Sequence, residues 1–120
     1  MIIVNSRFLS QKLTGVQRYA IELCKSLKTI YGENILFACP PGILHEHVAN
    51  ELGAKVIGTH TGHLWEQWDL PKFLKKNGSP LLVNLSNTAP VFYRNKVTTI
   101  HDITYIRYPH TFSRSFVLLY

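Results

Sequence analysis

Apolar and polar positions change period several times along this chain, and each change marks an element. Ile2-Ile3-Val4-Asn5 is a short apolar run that reads as a buried strand, followed by a polar stretch over residues 6–14 and then Gly15. Beyond Gly15 the period turns helical. Val16, Ala20, Leu23, Cys24, Leu27 and Ile30 share one face, while Gln17, Glu22, Lys25 and Lys28 face the other way. Thr14 suits the N-cap of that helix and Gly32 its stop. A second strand over residues 34–38 is closed by Pro40-Pro41-Gly42, and residues 43–52 predict a short helix with Ile43, Leu44, Val48 and Leu52 inward. A third strand follows at residues 55–57. Residues 62–67 read as a loop or single helical turn, and Pro71 opens a helix through Lys76. Residues 81–85 and 97–100 supply strands four and five, the latter ending at His101-Asp102. A last helix is expected from about Ser113 onward, apolar almost all round over Phe116 to Tyr120.

Strands alternating with helices predict an α/β fold: a Rossmann-like parallel sheet with helices on both faces. Uniformly apolar short strands agree, because parallel strands are covered on both sides. No linker, repeat or low-complexity tract divides residues 1–120, so one domain is expected. An apolar helix at the chain's end needs cover, and its reading is of a domain whose covering elements are missing; the alternative is a terminal helix docked on its own sheet.

Composition narrows the class. A hydrophobic fraction of 46% and a charged fraction of 17% describe a globular chain. The apolar runs fall far short of the roughly 20 residues of a membrane helix, and Met1 leads into the first strand with no secretory pattern, so a cytoplasmic protein is expected. Thirteen Lys+Arg against seven Asp+Glu give a formal charge of +6. That favours an anionic partner: nucleic acid, a phosphorylated ligand or an anionic membrane face. Cys24 and Cys39 lack disulfide-scaffold or zinc spacing and read as buried thiols.

In open parallel sheets, ligands bind beyond the carboxyl ends of the strands. That rule selects Asn5, Arg7, Lys12, Thr14 and Gly15 after strand one, His60 and His63 after strand three, Ser86 and Asn87 after strand four, and His101 and Asp102 after strand five. Gly15 at a helix mouth admits a backbone or phosphate without a Cβ in the way, and Arg18 one turn later adds a forked charge; a plain loop glycine is the alternative. His101 can donate to a sugar hydroxyl or phosphate or accept a proton, with Asp102 orienting the turn, or the pair can simply cap it. His45 and His47, two apart on a predicted helix, point to different faces, and His60 and His63 have no third ligand nearby, so no metal is expected. Trp65, Trp68, Phe73 and Leu74 read as packing residues. Cations are spread along the chain, with Lys75-Lys76 the single doublet, which argues against nucleic acid as the partner.

Taken in order, Thr14-Gly15-Val16-Gln17-Arg18-Tyr19 with Glu22-Leu23, then Leu64-Trp65-Glu66-Gln67 with Leu70-Pro71, then Ser86-Asn87-Thr88-Ala89-Pro90 and Thr99-Ile100-His101-Asp102, resemble the N-terminal half of family 4 (group 1) GT-B glycosyltransferases. The resemblance implies a retaining transferase that moves a sugar, a hexose such as mannose being one candidate, from a nucleotide-sugar donor to a glycan or lipid-linked acceptor in surface polysaccharide synthesis. It implies no metal or other cofactor. By the same likeness, Thr14 and Gly15 lie against the acceptor and the donor diphosphate, with Arg18 behind them. His101 and Asp102 face the transferred sugar, Ser86 and Asn87 line the cleft, and Glu66 shapes the acceptor side. The donor-binding C-terminal domain of such enzymes is absent here, so residues 1–120 alone are expected to be inactive. Basic charge suits peripheral contact with the inner membrane face. The alternative is a non-catalytic nucleotide- or phosphate-binding α/β module.

Overall fold

Each short apolar run pairs as a strand, and together they form one six-stranded sheet in the computed structural model. Residues 1–86, 88–101 and 116–119 are described, with Ile100, His101 and residues 116–119 described as backbone only. The strands are β1 (Ile2–Asn5), β2 (Ile35–Cys39), β3 (Lys55–Val56), β4 (Leu81–Asn84), β5 (Lys96–His101) and β6 (Phe116–Leu119), in the order β3-β2-β1-β4-β5-β6. The first five run parallel, as expected of a Rossmann-like α/β sheet. Winding outward from β1 reverses between β1 and β4, which makes that junction the topological switch point.

Alternation along β1 divides the core into two layers. Val4 joins Phe37, Ala20, Ile21, Cys24 and Leu52 beneath the helices α1 (Gly15–Tyr31) and α2 (Glu46–Leu52). Ile3 joins Ala38, Leu82, Trp65, Leu70 and Leu74 on the opposite face, beneath a helical run over residues 62–76. The first helix matches its sequence pattern closely: Thr14 is its N-cap, the Gln17 side chain accepts the Thr14 N–H at 3.2 Å and the Thr14 hydroxyl, and Gly32 ends it at φ 57°. Burial pushes the Cys24 thiol up to about 12 and the Cys39 thiol up to about 11, so both are inert packing groups.

Four expectations are corrected. Residues 116–119 form a strand antiparallel to β5, not part of a final helix, and the expected helix start at Ser113 lies outside the described residues. A short apolar run fits a buried strand or a helix equally by period, and the open edge of β5 offered unpaired N–H and C=O groups that the Phe-Val-Leu-Leu run satisfies. The expected helix over residues 43–52 begins only at Glu46, because the N–H groups of Leu44 and His45 are both held by the Leu9 carbonyl, at 2.8 and 3.1 Å, leaving Leu44 exposed. Ile30, expected on the inward face, is also exposed.

The last correction concerns residues 62–76, expected as a loop or single helical turn over 62–67 followed by a separate helix from Pro71. They form one run: α3 (Gly62–Leu64), a π turn over Trp65–Asp69 and α4 (Leu70–Lys76). Pro71 has no N–H to give the Gln67 carbonyl, and its ring crowds that turn. The run widens instead of breaking, and Leu70 donates to the Trp65 carbonyl five residues back. Widening turns Trp65, Glu66, Asp69 and Leu70 inward together, while Trp68, expected as packing, stays 62% exposed.

Candidate functional site

Parallel register sets Asn5 beside Asn84 and Asn84 beside Thr98 at the switch point. Ile3 and Leu82 precede the two asparagines on the same face, so the apolar layer ends in a row of polar groups where the strands reach their carboxyl ends. Asn5, Asn84 and Thr98 are all buried. Asn5 uses both amide hydrogens, donating from Nδ2 to Asn84 Oδ1 and to Glu66 Oε2, each at 2.8 Å. Glu66 comes from the π turn and is 1% exposed.

Arg7 opens the 3-10 turn Arg7–Ser10 directly after β1 and closes the network. Its Nη1 donates to Glu66 Oε1 and to Thr88 Oγ1, both at 3.4 Å, and its backbone N–H donates to Asn5 Oδ1 at 3.2 Å. The Thr88 hydroxyl donates in turn to Glu66 Oε2 at 3.0 Å. Both carboxylate oxygens are thus engaged. A buried carboxylate in that state is a brace that fixes one cation and one hydroxyl at the rim. Above it lies a pit of about 10 Å³, room for one water, walled by Arg7, Gln11, Ser86 and Thr88. Ser86 Oγ is buried there without a hydrogen-bond partner among the described residues.

Other expected residues stand apart from the network. Thr14, Gly15 and Arg18 are exposed at the mouth of α1. A Cβ added at Gly15 would meet nothing within 4 Å, so no packing contact requires glycine there. Arg18 donates its backbone N–H to the Thr14 carbonyl at 2.9 Å, and its guanidinium has no ion pair among the described residues. His101 is the last residue of β5, three positions beyond the Thr98 level and hence roughly 10 Å farther along the strand. Asn87 and Asp102 lie outside the described residues.

The histidines have local duties. His45, expected within a helix, precedes α2 and donates Nε2–H to the Gln11 carbonyl at 2.6 Å. His60 donates Nδ1–H to Asp69 Oδ1 at 2.8 Å, and Asp69 Oδ2 accepts the backbone N–H groups of His60 and Thr59 at 2.8 and 3.1 Å. Burial pushes the Asp69 carboxyl up, but these hydrogen bonds and the nearby imidazole outweigh it and hold the group below the usual carboxylate range. Among the described residues no three His, Cys, Asp or Glu side chains converge on one point.

Asn84, like Thr88, is a site residue that sequence reasoning missed. The signal was present: Leu81-Leu82-Val83-Asn84 repeats the pattern of Ile2-Ile3-Val4-Asn5, so two parallel strands end in asparagine at the same level. The fold and this polar cluster define the class: a Rossmann-like α/β domain with a braced polar rim at its switch point. Comparison with protein-family models, curated proteins and solved structures finds no match to the chain.

Proposed function

We propose that this chain is the acceptor-side domain of a retaining glycosyltransferase, transferring a hexose from a nucleotide-sugar to a glycan or lipid-linked acceptor and acting with a separate donor-binding domain. The closed network of Asn5, Arg7, Glu66, Asn84 and Thr88 at the switch point carries the reading. A polyhydroxylated ligand is bound best by donors and acceptors already fixed, because little side-chain entropy is then lost on binding. The cation of Arg7 and the hydroxyl of Thr88 are held in that manner. The ordered motifs from Thr14-Gly15 to His101-Asp102 supply the reaction class.

In this reading the first turn of α1, with Gly15 and Arg18, attracts the diphosphate leaving group through its free N–H groups and its charge. His101 and Asp102 meet the transferred sugar, Ser86 and Asn87 line the floor, and Glu66 acts as a positioning residue through Arg7. No metal takes part.

The test is a titration of the 120-residue chain, isotope-labelled, with oligosaccharides and with nucleotide-sugars. Carbohydrate should shift the amide resonances of Arg7, Ser86 and Thr88, and no sugar transfer should occur without a donor-binding domain. Transfer by the chain alone would overturn the two-domain reading. Tight nucleotide binding with no response to any carbohydrate would replace it with the phosphate-binding module. In a complete enzyme, unchanged turnover after His101→Ala would reduce His101 to a capping residue.

A further inference from the structure

The two layers of this domain differ in the charge they show to solvent. Glu22, Glu33, Glu46 and Glu51 are the exposed acids among the described residues, and all lie in or beside α1 and α2. The opposite layer, residues 62–76, carries Glu66 and Asp69, and both are buried with partners. Its outward positions include Lys72, Lys75 and Lys76, with no accessible carboxylate among them. That face is purely cationic.

It is also apolar at its crest. Trp68 is 62% exposed, Phe92 78%, Val91 69% and Leu64 56%. Trp68 and Lys72 form a ridge between two grooves, of about 460 Å³ on the Phe92 side and about 310 Å³ on the His60 side. The crest is built, not frayed. The Gln67 amide donates to the Ala89 carbonyl and accepts the Val91 N–H, both at 2.8 Å, and Lys96 Nζ donates to the Pro90 carbonyl at 2.6 Å. Three hydrogen bonds therefore hold the Val91-Phe92 turn beside Trp68. Exposing four large apolar side chains together is costly in water unless something covers them.

We propose that this face docks on an anionic lipid bilayer, with Trp68, Phe92, Val91 and Leu64 entering the headgroup boundary and Lys72, Lys75 and Lys76 meeting lipid phosphates. Tryptophan suits that boundary because one end of the ring is apolar and the other keeps a polar N–H. Lysine stems cover apolar surface while their ammonium groups stay in the headgroup layer. Two of the four crest residues are aliphatic, which adds insertion area but no base-stacking surface, so a bilayer fits better than a nucleic acid. The inference is independent of the sugar-transfer reading.

Vesicle flotation with the intact chain tests it, using phosphatidylcholine vesicles with and without 30 mol% (about a third) phosphatidylglycerol. Binding should need the anionic lipid and weaken in high salt. Of the two tryptophans, Trp65 is buried, so a blue shift and quenching by bromine-labelled acyl chains report on Trp68. At about fivefold per lysine, the triple change Lys72→Glu, Lys75→Glu, Lys76→Glu should weaken binding at least a hundredfold. Trp68→Ser with Phe92→Ser should abolish quenching, while Lys28→Glu on the opposite layer should leave binding nearly unchanged. Equal binding to both vesicle types, absence of quenching, or equal loss from Lys28→Glu would overturn the proposal. So would self-association through Trp68, or binding of oligonucleotides in preference to vesicles.

Discussion

Breaking the Arg7–Glu66 pair is the most direct test of the switch-point network. Glu66 is 1% exposed, and its carboxylate has three donors: Asn5 at 2.8 Å, Thr88 at 3.0 Å and Arg7 at 3.4 Å. Removing Arg7 leaves a buried negative charge with neutral donors only. Losing one partner of a buried pair costs about 3–5 kcal/mol. The long contact and the 14% exposure of the Arg7 side chain place this case lower, at about 2–3 kcal/mol. Glu66→Gln keeps the volume but turns an NH₂ toward a group that itself donates, and should cost about 2 kcal/mol.

Once either partner is changed, the second change removes less, since the charge or its counter-charge has already gone. Arg7→Met with Glu66→Gln should therefore fall short of the sum by about 1–2 kcal/mol. Urea unfolding followed by far-ultraviolet circular dichroism measures all four proteins. With a slope of about 1.5 kcal/mol/M, Arg7→Met should lower the midpoint by about 1.5 M. Costs that add to within about 0.5 kcal/mol, or an Arg7→Met cost below that figure, would show an exposed ion pair of the ordinary weak kind and remove the brace from the argument.

Gly58 sits at φ +72°, and an added Cβ would lie 2.5 Å from Asp69 Oδ2. Gly58→Ala should thus cost about 2–4 kcal/mol in the same unfolding assay and release the His60 clamp; a neutral result would contradict the close approach. Because the folded-state pKa of Asp69 is lowered, its contribution is present above the unfolded value of about 3.9 and fades as pH falls through the lower folded value. Asp69→Asn should accordingly flatten the stability-versus-pH curve below about pH 4, and an unchanged acid limb would count against the clamp. Gly15 has open space around it at the start of α1, so Gly15→Ala should stabilise by a few tenths to about 1 kcal/mol. If ligand binding falls in that more stable protein, close approach at Gly15 is the cause; unaltered binding would make it a plain loop glycine.

Much of the fold was legible because hydrophobic period carries it. The helical stripe of α1 and the strand runs from Ile2 to Asn84 need only local pattern, and parallel pairing follows from their alternation with helices. Residues 62–76 were misread because Pro71 is a punctuation mark in sequence and only a widening in space. A π turn moves every later side chain around the axis, so Trp68, read as a packing residue from its apolar character, is left outside by the fold. Residues 116–119 were misread because a short apolar run fits either element, and the choice was made by β5 needing a partner.

The site was only half legible, for a reason of distance along the chain. Asn5 and Arg7, Glu66, and Asn84 and Thr88 come from three separate stretches, and no local spacing links them. What joins them is register. Slipping β4 by one residue against β1 would send Asn84 to the face of Val4, into the apolar layer beneath α1. Asn5 would then be left buried with one amide hydrogen lacking its Asn84 acceptor, at a cost of about 1–3 kcal/mol for the orphaned group. The same bonds that hold Arg7 and Thr88 at the rim therefore penalise the wrong pairing of the two central strands. Fold specificity and site geometry are set by one set of hydrogen bonds, which is why a change at Asn84 should disturb the sheet and the rim together.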